Sequence, residues 1–264
     1  MRSFQQVLLI VFMFFGCSQK MSMLEVETRA IKEGDKVEQN QLLIDPARSA
    51  VIICDMWDRH WCEGATQRAA EMAPAMNETI ARARRRGVMI IHAPSSTMDF
   101  YADYDQRKVM TTLPQAPSSR DIPGWCYLDP EKESALPIDD SDGGCDTGPQ
   151  PEEYEVWTRQ IATLEIMPED YISDSGKEIN NLLVSKGIDH VFRMGVHLNM
   201  CVLGRSFGIR SQKQLGRNVY LVRDLTDTMY NPEMSPRVSH DQGTELMIRH
   251  VERYWCPSVL SSVF

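Results

Sequence analysis

Apolar runs alternate with amphipathic stretches along most of the chain, which predicts strands and helices in alternation. Ala50–Cys54 and Val88–His92 are continuous apolar runs, as expected for strands that are covered on both faces. Between them, Gln67–Arg86 places its apolar residues on one helical face, and Gly87 is typical of a helix end. These three segments together predict a βαβ unit with parallel strands.

The alternation continues in the second half of the chain. Near the start, Leu24–Lys32 alternates apolar and polar residues and runs into a turn, which predicts a hairpin at the edge of the main sheet. The predicted fold class is therefore α/β: a three-layer open sheet, mainly parallel and Rossmann-like, with an N-terminal hairpin. The later strands are predicted at Val156–Thr158, His190–Val196 and Val219–Arg223, and the later helices at Asp174–Lys186, Cys201–Leu215 and Ser239–Arg253.

A long segment, about residues 93–151, interrupts this pattern. It has no sustained period, is dense in Pro, Gly, Ser and Asp, and is far longer than an ordinary loop between a strand and a helix. We interpret it as an insertion that covers the active site or forms a small subdomain within a domain spanning 49–264, which follows a spacer and hairpin at 18–48. Cys126 and Cys145 both lie in this segment, so we predict that they pair, with two free thiols as the alternative.

Residues 1–17 have the pattern of a signal peptide. Arg2 is followed by a short apolar run, Val7–Phe15, and then by Gly16 and Cys17. The order is that of a bacterial lipoprotein signal with Cys17 as the lipidated residue, while plain secretion and an uncleaved anchor stay open. The prediction is an exported protein, periplasmic or anchored to the membrane by a lipid at Cys17.

The composition limits the classes of molecule that we expect the protein to bind. The formal net charge is −9 over 264 residues, and no Lys/Arg cluster is interleaved with aromatic residues, so we expect no nucleic-acid partner. The expected partner is a small-molecule substrate. Association into a homo-oligomer is a further expectation, made by analogy with proteins of similar architecture.

The candidate chemistry lies at the carboxyl ends of the predicted strands, where open α/β sheets bind ligands. Cys201 begins a predicted helix, whose free N–H groups and dipole favour the nucleophilic thiolate. Asp55 follows a buried strand and can accept the thiol proton, while N–H groups of His197–Cys201 can stabilise an oxyanion. Together these groups predict acyl transfer through a thioester. The alternative is that Cys201 only packs in the core.

Two motifs carry a resemblance to a known family. The segments SAVIICDMWD, with Asp55, and MGVHLNMCV, with Cys201, make the chain resemble the isochorismatase-like cysteine hydrolases from about Ser49 to the C-terminus, outside the insertion. The resemblance implies a nucleophilic Cys201, a catalytic Asp55 and a cis peptide between Val196 and His197 that shapes the oxyanion hole. It also implies that the Asp224 segment, LVRDLTDTM, supports the site.

The implied reaction is cleavage of a C–N bond in a small amide or ureide, with no cofactor required. The chain departs from the family at the third catalytic residue, a lysine, because YEVWTRQIATLEI holds Arg159 instead. We expect Arg159 to take the lysine's place electrostatically, although an arginine does not exchange protons near neutral pH. The alternatives are a non-catalytic ligand-binding protein and an isochorismatase-type hydrolase of a vinyl ether, against which the cysteine argues.

A zinc site is also implied by the resemblance, because nicotinamidases bind zinc near this point. Asp58, His60 and His92 are the candidate ligands, with Cys62 beside them in DMWDRHWC. Trp57, in the same segment, is a candidate substrate contact, and packing of the segment's tryptophans against the cover is the alternative to metal binding.

Overall fold

The computed structural model describes residues 22–264, so the predicted signal peptide at 1–17, with Cys17, lies outside the described residues. The strands are β1 (Leu24–Ile31), β2 (Val37–Ile44), β3 (Ser49–Cys54), β4 (Met89–Ala93), β5 (Tyr171–Ile172), β6 (His190–Gly195), β7 (Asn218–Thr226) and β8 (Ser258–Val259). The α-helices are α1 (Glu63–Arg85), α2 (Asp105–Thr112), α3 (Gly176–Ser185), α4 (Ile209–Gln214) and α5 (His240–Tyr254), and a π-helix spans Leu198–Val202.

The eight strands form one sheet in the order β2-β1-β8-β7-β6-β3-β4-β5. The six strands from β8 to β5 are parallel, whereas β1 and β2 form an antiparallel hairpin at one edge. This arrangement confirms the predicted α/β class, the mainly parallel sheet and the edge hairpin.

Strand β3 shows how the layers form. All six of its residues are buried, and successive side chains point to opposite faces of the sheet. Ala50, Ile52 and Cys54 pack in the core shared with α3 and α5, whereas Val51 and Ile53 pack against α1. The sheet therefore lies between two helical layers, and Cys54 is a core residue.

The prediction of a third strand at Val156–Thr158 is wrong. The strand beside β4 is instead β5, Tyr171–Ile172, which is too short to leave a periodic signal in the sequence. Residues 156–160 cross the end of the sheet, where Gln160 makes an isolated bridge to Trp57.

The helix predicted at Cys201–Leu215 is also different. The chain forms the π-helix at Leu198–Val202, turns, and begins α4 only at Ile209. Gly204 lies in this turn, where a Cβ atom would stand 2.6 Å from the ring of Trp125. The Gly204 carbonyl accepts a hydrogen bond from the Cys126 N–H of the insertion, and the Gly208 N–H donates to Arg205 instead of to Gly204. This contact with the insertion accounts for a break that the periodicity of the segment does not show.

The inserted segment is anchored to the domain by a buried carboxylate. Glu133 accepts hydrogen bonds from Arg210 (2.6 Å), His250 (2.8 Å) and Trp255 (2.9 Å). Burial opposes the charge, but these donors hold the pKa of Glu133 down at about 2. None of the helices in residues 22–264 combines the length and the apolar content that a membrane span requires.

Candidate active site

Asp55 lies at the carboxyl end of β3 and is fully buried. Its backbone adopts a left-handed conformation (φ 47°), which aspartate tolerates better than most residues. One carboxylate oxygen accepts a hydrogen bond from the Ser95 backbone N–H at 2.7 Å, and the other accepts from Arg205 Nε at 3.1 Å. The carboxylate is therefore held between a backbone N–H after β4 and the Arg205 guanidinium.

Cys201 lies in the π-helix with 9 % of its surface exposed, and its thiol interacts with both Asp55 and Arg205. Burial and the Asp55 charge raise the pKa of this thiol far above its ordinary value, and Arg205 only partly offsets them. The resting thiol is therefore protonated beside a carboxylate that can accept its proton. This corrects the expectation that a helix N-terminus holds Cys201 as a thiolate, since the π-helix begins three residues earlier.

Arg205, rather than Arg159, supplies the cation. Arg205 follows Cys201 by four residues, forms the ion pair with Asp55 and packs over Trp125 at 5.5 Å. Although burial lowers the pKa of Arg205, the charge of Asp55 raises it above its ordinary value. An i, i+4 spacing places two side chains on one helical face. The proximity of Cys201 and Arg205 could therefore have been predicted from the sequence.

Arg159 lies elsewhere, and its predicted place beside Asp55 is wrong. Its side chain is exposed and packs over Phe100 at 5.3 Å, while its backbone N–H donates to Asp58. The reason is the missing strand at Val156–Thr158: in the irregular chain that replaces it, Gln160 points inward and Arg159 points outward.

The turn before Cys201 has the geometry that the resemblance implied, since the Val196–His197 peptide is cis. Three of its N–H groups are already paired: Leu198 donates to Asp227, and Met200 and Val202 donate to His197. The His197 N–H makes no hydrogen bond within residues 22–264 and, together with the Cys201 N–H, is the candidate oxyanion donor.

His197 in this turn and His60, whose ring packs against it, are both neutral at pH 7. Burial lowers the pKa of His197 to about 3 and that of His60 to about 4. The two rings meet edge to face at 5.0 Å, and the Cys62 N–H donates to His60 Nδ1, which leaves the ring proton on Nε2. Neither histidine can therefore serve as a cation at neutral pH.

The support predicted from Asp224 comes from Asp227 instead. Asp224 accepts hydrogen bonds from Ser261 near the C-terminus, at an exposed position. Asp227 accepts from Arg68 Nε (2.9 Å) and His240 Nε2 (2.8 Å), and its carbonyl holds the first N–H of the π-helix. Asp227 thus fixes the turn that carries Cys201.

The predicted zinc ligands do not come together. Asp58 accepts hydrogen bonds from Thr158, His60 Nδ1 is bonded to the Cys62 N–H, and buried His92 lies between Gln160 (2.9 Å) and Asp170 (3.1 Å). Among residues 22–264, the one group with donor atoms close enough for a metal is Cys62, Cys145 and Asp146. Its two sulfurs are joined in a disulfide, so these residues do not fit a zinc site.

The disulfide itself was predicted at the wrong pair. Cys145 is bonded to Cys62, 83 residues away, whereas Cys126 is a free, buried thiol. The Cys126 N–H donates to the carbonyl of Gly204, which holds this part of the insertion over the π-helix and away from Cys145. Closeness in sequence was therefore a poor guide to the pairing.

A cavity of about 310 Å³ opens above Cys201 and Arg205. Its walls are aromatic, and Trp57 and Trp157 stack at 4.0 Å with 9° between the rings. We call residues 125–157 the cover, because this segment closes the cavity from above. The cavity residues are Trp57, His60, Trp61, His197, Met200, Cys201, Arg205 and Met229, together with Trp125, Gly143, Gln150, Tyr154, Glu155 and Trp157 from the cover.

Several solved structures are similar to this one. The chain superposes on a cysteine hydrolase from Pseudomonas syringae pv. phaseolicola 1448A with a TM-score of 0.51 and 18% identity, covering 83% of this chain and 91% of that one. An isochorismatase from Pseudomonas putida KT2440 gives 0.46 and 12% identity over 83% and 91%. An isochorismatase family protein from Desulfovibrio vulgaris gives 0.43 and 14% over 81% and 95%.

No family model matches the sequence, and the search of curated proteins gives no match. The structural likeness to the Pseudomonas syringae protein shows that the chain shares the fold of that cysteine hydrolase. The resemblance read from the two sequence motifs is confirmed at that level.

Proposed function

We propose that the protein is a cysteine hydrolase that cleaves a C–N bond in a small amide or ureide through a thioester on Cys201. The observation that carries the proposal is the Cys201 thiol at the base of a small cavity, beside a buried carboxylate that is itself paired with Arg205. Nucleophile, base and candidate oxyanion donors are the parts that acyl transfer requires.

In the first half of the reaction, Cys201 Sγ attacks the carbonyl carbon while its proton passes to Asp55. The carbonyl oxygen gains negative charge, which the His197 and Cys201 N–H groups stabilise. Asp55 then returns the proton to the leaving nitrogen, the C–N bond breaks, and the amine or ammonia departs from a thioester.

In the second half, water attacks the thioester carbon and gives a proton to Asp55. The C–S bond breaks, the acid product leaves, and the proton returns to the Cys201 sulfur. Asp55 is the only group that moves protons in this scheme. Arg205 orients Asp55 and offsets negative charge, because a guanidinium keeps its proton near neutral pH.

The walls restrict the substrate. A volume of about 310 Å³ is at the low end for ligand pockets and suits a small molecule. The tryptophan rings favour a flat, conjugated acyl group, which can pack against them by its face.

The test is a panel of small primary amides and ureides, with ammonia release as the readout and intact-protein mass spectrometry to trap the acyl group on Cys201. We expect release with at least one compound and an acyl adduct on the wild type that Cys201→Ala does not form. Binding seen by tryptophan fluorescence, without release or adduct across the panel, would support a ligand-binding protein instead. Cleavage of a vinyl ether that persists in Cys201→Ala would support the isochorismatase-type reaction.

A further inference from the structure

A second arginine lies in the core beside the candidate site. Arg193 is in β6, is fully buried, and packs its guanidinium over the Phe207 ring at 5.2 Å. None of its three side-chain nitrogens has a hydrogen-bond partner within residues 22–264. A buried cation without a paired carboxylate is strongly unfavourable, so its presence calls for a reason other than stability.

The register of the sheet places Arg193 beside Ile52 in β3, on the side of the sheet that also carries Cys54. Arg193 pairs with Ile52 of β3, and two residues further along, Gly195 pairs with Cys54, which immediately precedes Asp55. Side chains two residues apart on a strand share a face, so Arg193 lies on the same face as Cys54. Its contact Phe207 follows Arg205 by two residues, which places the guanidinium between β6 and the segment that carries the candidate site.

Few ionisable groups face Arg193. These are the Cys54 thiol at the end of β3, the Asp55 carboxylate that follows it, and the Cys256 thiol after α5. The groups that face Cys201 are Asp55, Arg205 and the Cys54 thiol. Asp55 is thus the one carboxylate that faces both Arg193 and Cys201. Arg205 lies on the cavity side of Asp55, and Arg193 lies in the core.

We propose that Arg193 is a positioning residue for the Cys201 reaction, a buried second cation that acts through Asp55 to favour negative charge on the Asp55–Cys201 pair. Arg205 and Asp55 alone sum to zero charge. Arg193 makes the site positive by one, which offsets the charge that develops as the thiol ionises and the oxyanion forms. The inference rests on the proposed function for its link to turnover, although its effect on the thiol can be measured without a substrate.

The test uses Arg193→Met, which keeps an unbranched side chain and removes the charge. We would measure iodoacetamide labelling of the Cys201 peptide by mass spectrometry from pH 6 to 10, together with the thermal unfolding midpoint. In Arg193→Met the midpoint of the labelling profile should move to a higher pH by about half a unit. On the rising part of the profile this corresponds to labelling that is about threefold slower. The unfolding midpoint should stay the same or rise, because an unpaired buried charge has been removed.

Two further variants make the result unambiguous. Arg193→Lys keeps the charge and should keep the wild-type profile. Arg193→Gln, which also removes the charge, replaces the methionine variant as the test if that protein fails to fold. Arg217→Met is the control, since Arg217 is buried but hydrogen-bonded to Gln212 and Asn180. An unchanged profile in Arg193→Met with a lowered unfolding midpoint would overturn the proposal and leave Arg193 a structural residue.

This outcome is separable from failure of the proposed function. A shifted labelling profile in a protein that cleaves no amide would support the role of Arg193 and refute only the hydrolase assignment. A wild-type profile in an active Arg193→Met enzyme with normal kcat/KM across pH would refute the role of Arg193 alone.

Discussion

The base of the cavity and its cover are built in opposite ways. The base (Asp55, Cys201 and Arg205) comes from short segments at the ends of β3 and β6, which the parallel sheet brings side by side. The cover (residues 125–157) has no regular helix or strand and is held by contacts between residues far apart in sequence, namely the Cys62–Cys145 disulfide and the Glu133 cluster. The sheet therefore positions the reacting groups, while contacts between residues far apart in sequence shape the cavity.

The largest effect should come from the base. Cys201→Ala removes the nucleophile, so hydrolysis and iodoacetamide labelling at this site should both be lost while the unfolding midpoint is nearly unchanged. Turnover measured on a compound cleaved by the wild type, together with a thermal melt, checks this. Turnover that survives the substitution would contradict the mechanism.

The next largest effect is the difference in kcat/KM between substitutions of Arg205 and of Arg159. Arg205→Met removes the partner of Asp55 and should lower kcat/KM by about a hundredfold, as expected for loss of one electrostatic contact at a reacting centre. Arg159→Met, at an exposed position over Phe100, should change it by less than about twofold. The opposite ranking would restore Arg159 to the site and refute the geometry described above.

The disulfide is the strongest tie of the cover. Replacing both Cys62 and Cys145 by serine opens a loop of 83 residues and should lower the free energy of unfolding by about 2–5 kcal/mol. Urea denaturation measures this, and Cys126→Ala is the matched single-cysteine control. Peptide mapping that finds Cys126, rather than Cys62, bonded to Cys145 would contradict the pairing.

The smallest effect concerns Glu133 and depends on pH. Its pKa is depressed to about 2, so its contribution to stability is present above the ordinary glutamate value and is lost as the pH falls through the folded value. Glu133→Gln should therefore lower stability by about 2 kcal/mol at pH 6. The gap from wild type should narrow between pH 5 and pH 2, as followed by thermal melts. A gap that widens toward acid would be inconsistent with an ionised Glu133.

Much of the fold could be predicted because parallel strands are buried on both faces and leave continuous apolar runs. The runs at β3, β4, β6 and β7 and the face of α1 were readable for this reason. Strand β5 was missed because two residues carry no period, and that error also misplaced the cation at Arg159.

The candidate site could be predicted in part. Asp55 and Cys201 stand next to strong local patterns, and the structure brings them together. The role of Arg205 was missed, although its spacing from Cys201 was visible. The disulfide and the Glu133 cluster join residues 83 and more than 70 positions apart, and only the folded chain reveals such contacts.

The charge state of Cys201 gives the most direct test of the account. The measurement is the pH profile of iodoacetamide labelling of Cys201 in the wild type and in Asp55→Asn. Because burial and the Asp55 charge keep the resting Cys201 thiol protonated, its labelling midpoint should lie above the ordinary thiol value of about 8.5. The midpoint should move downward in Asp55→Asn, because the opposing charge is gone, even though turnover is lost. A wild-type midpoint below the ordinary value that rises in Asp55→Asn would contradict the account.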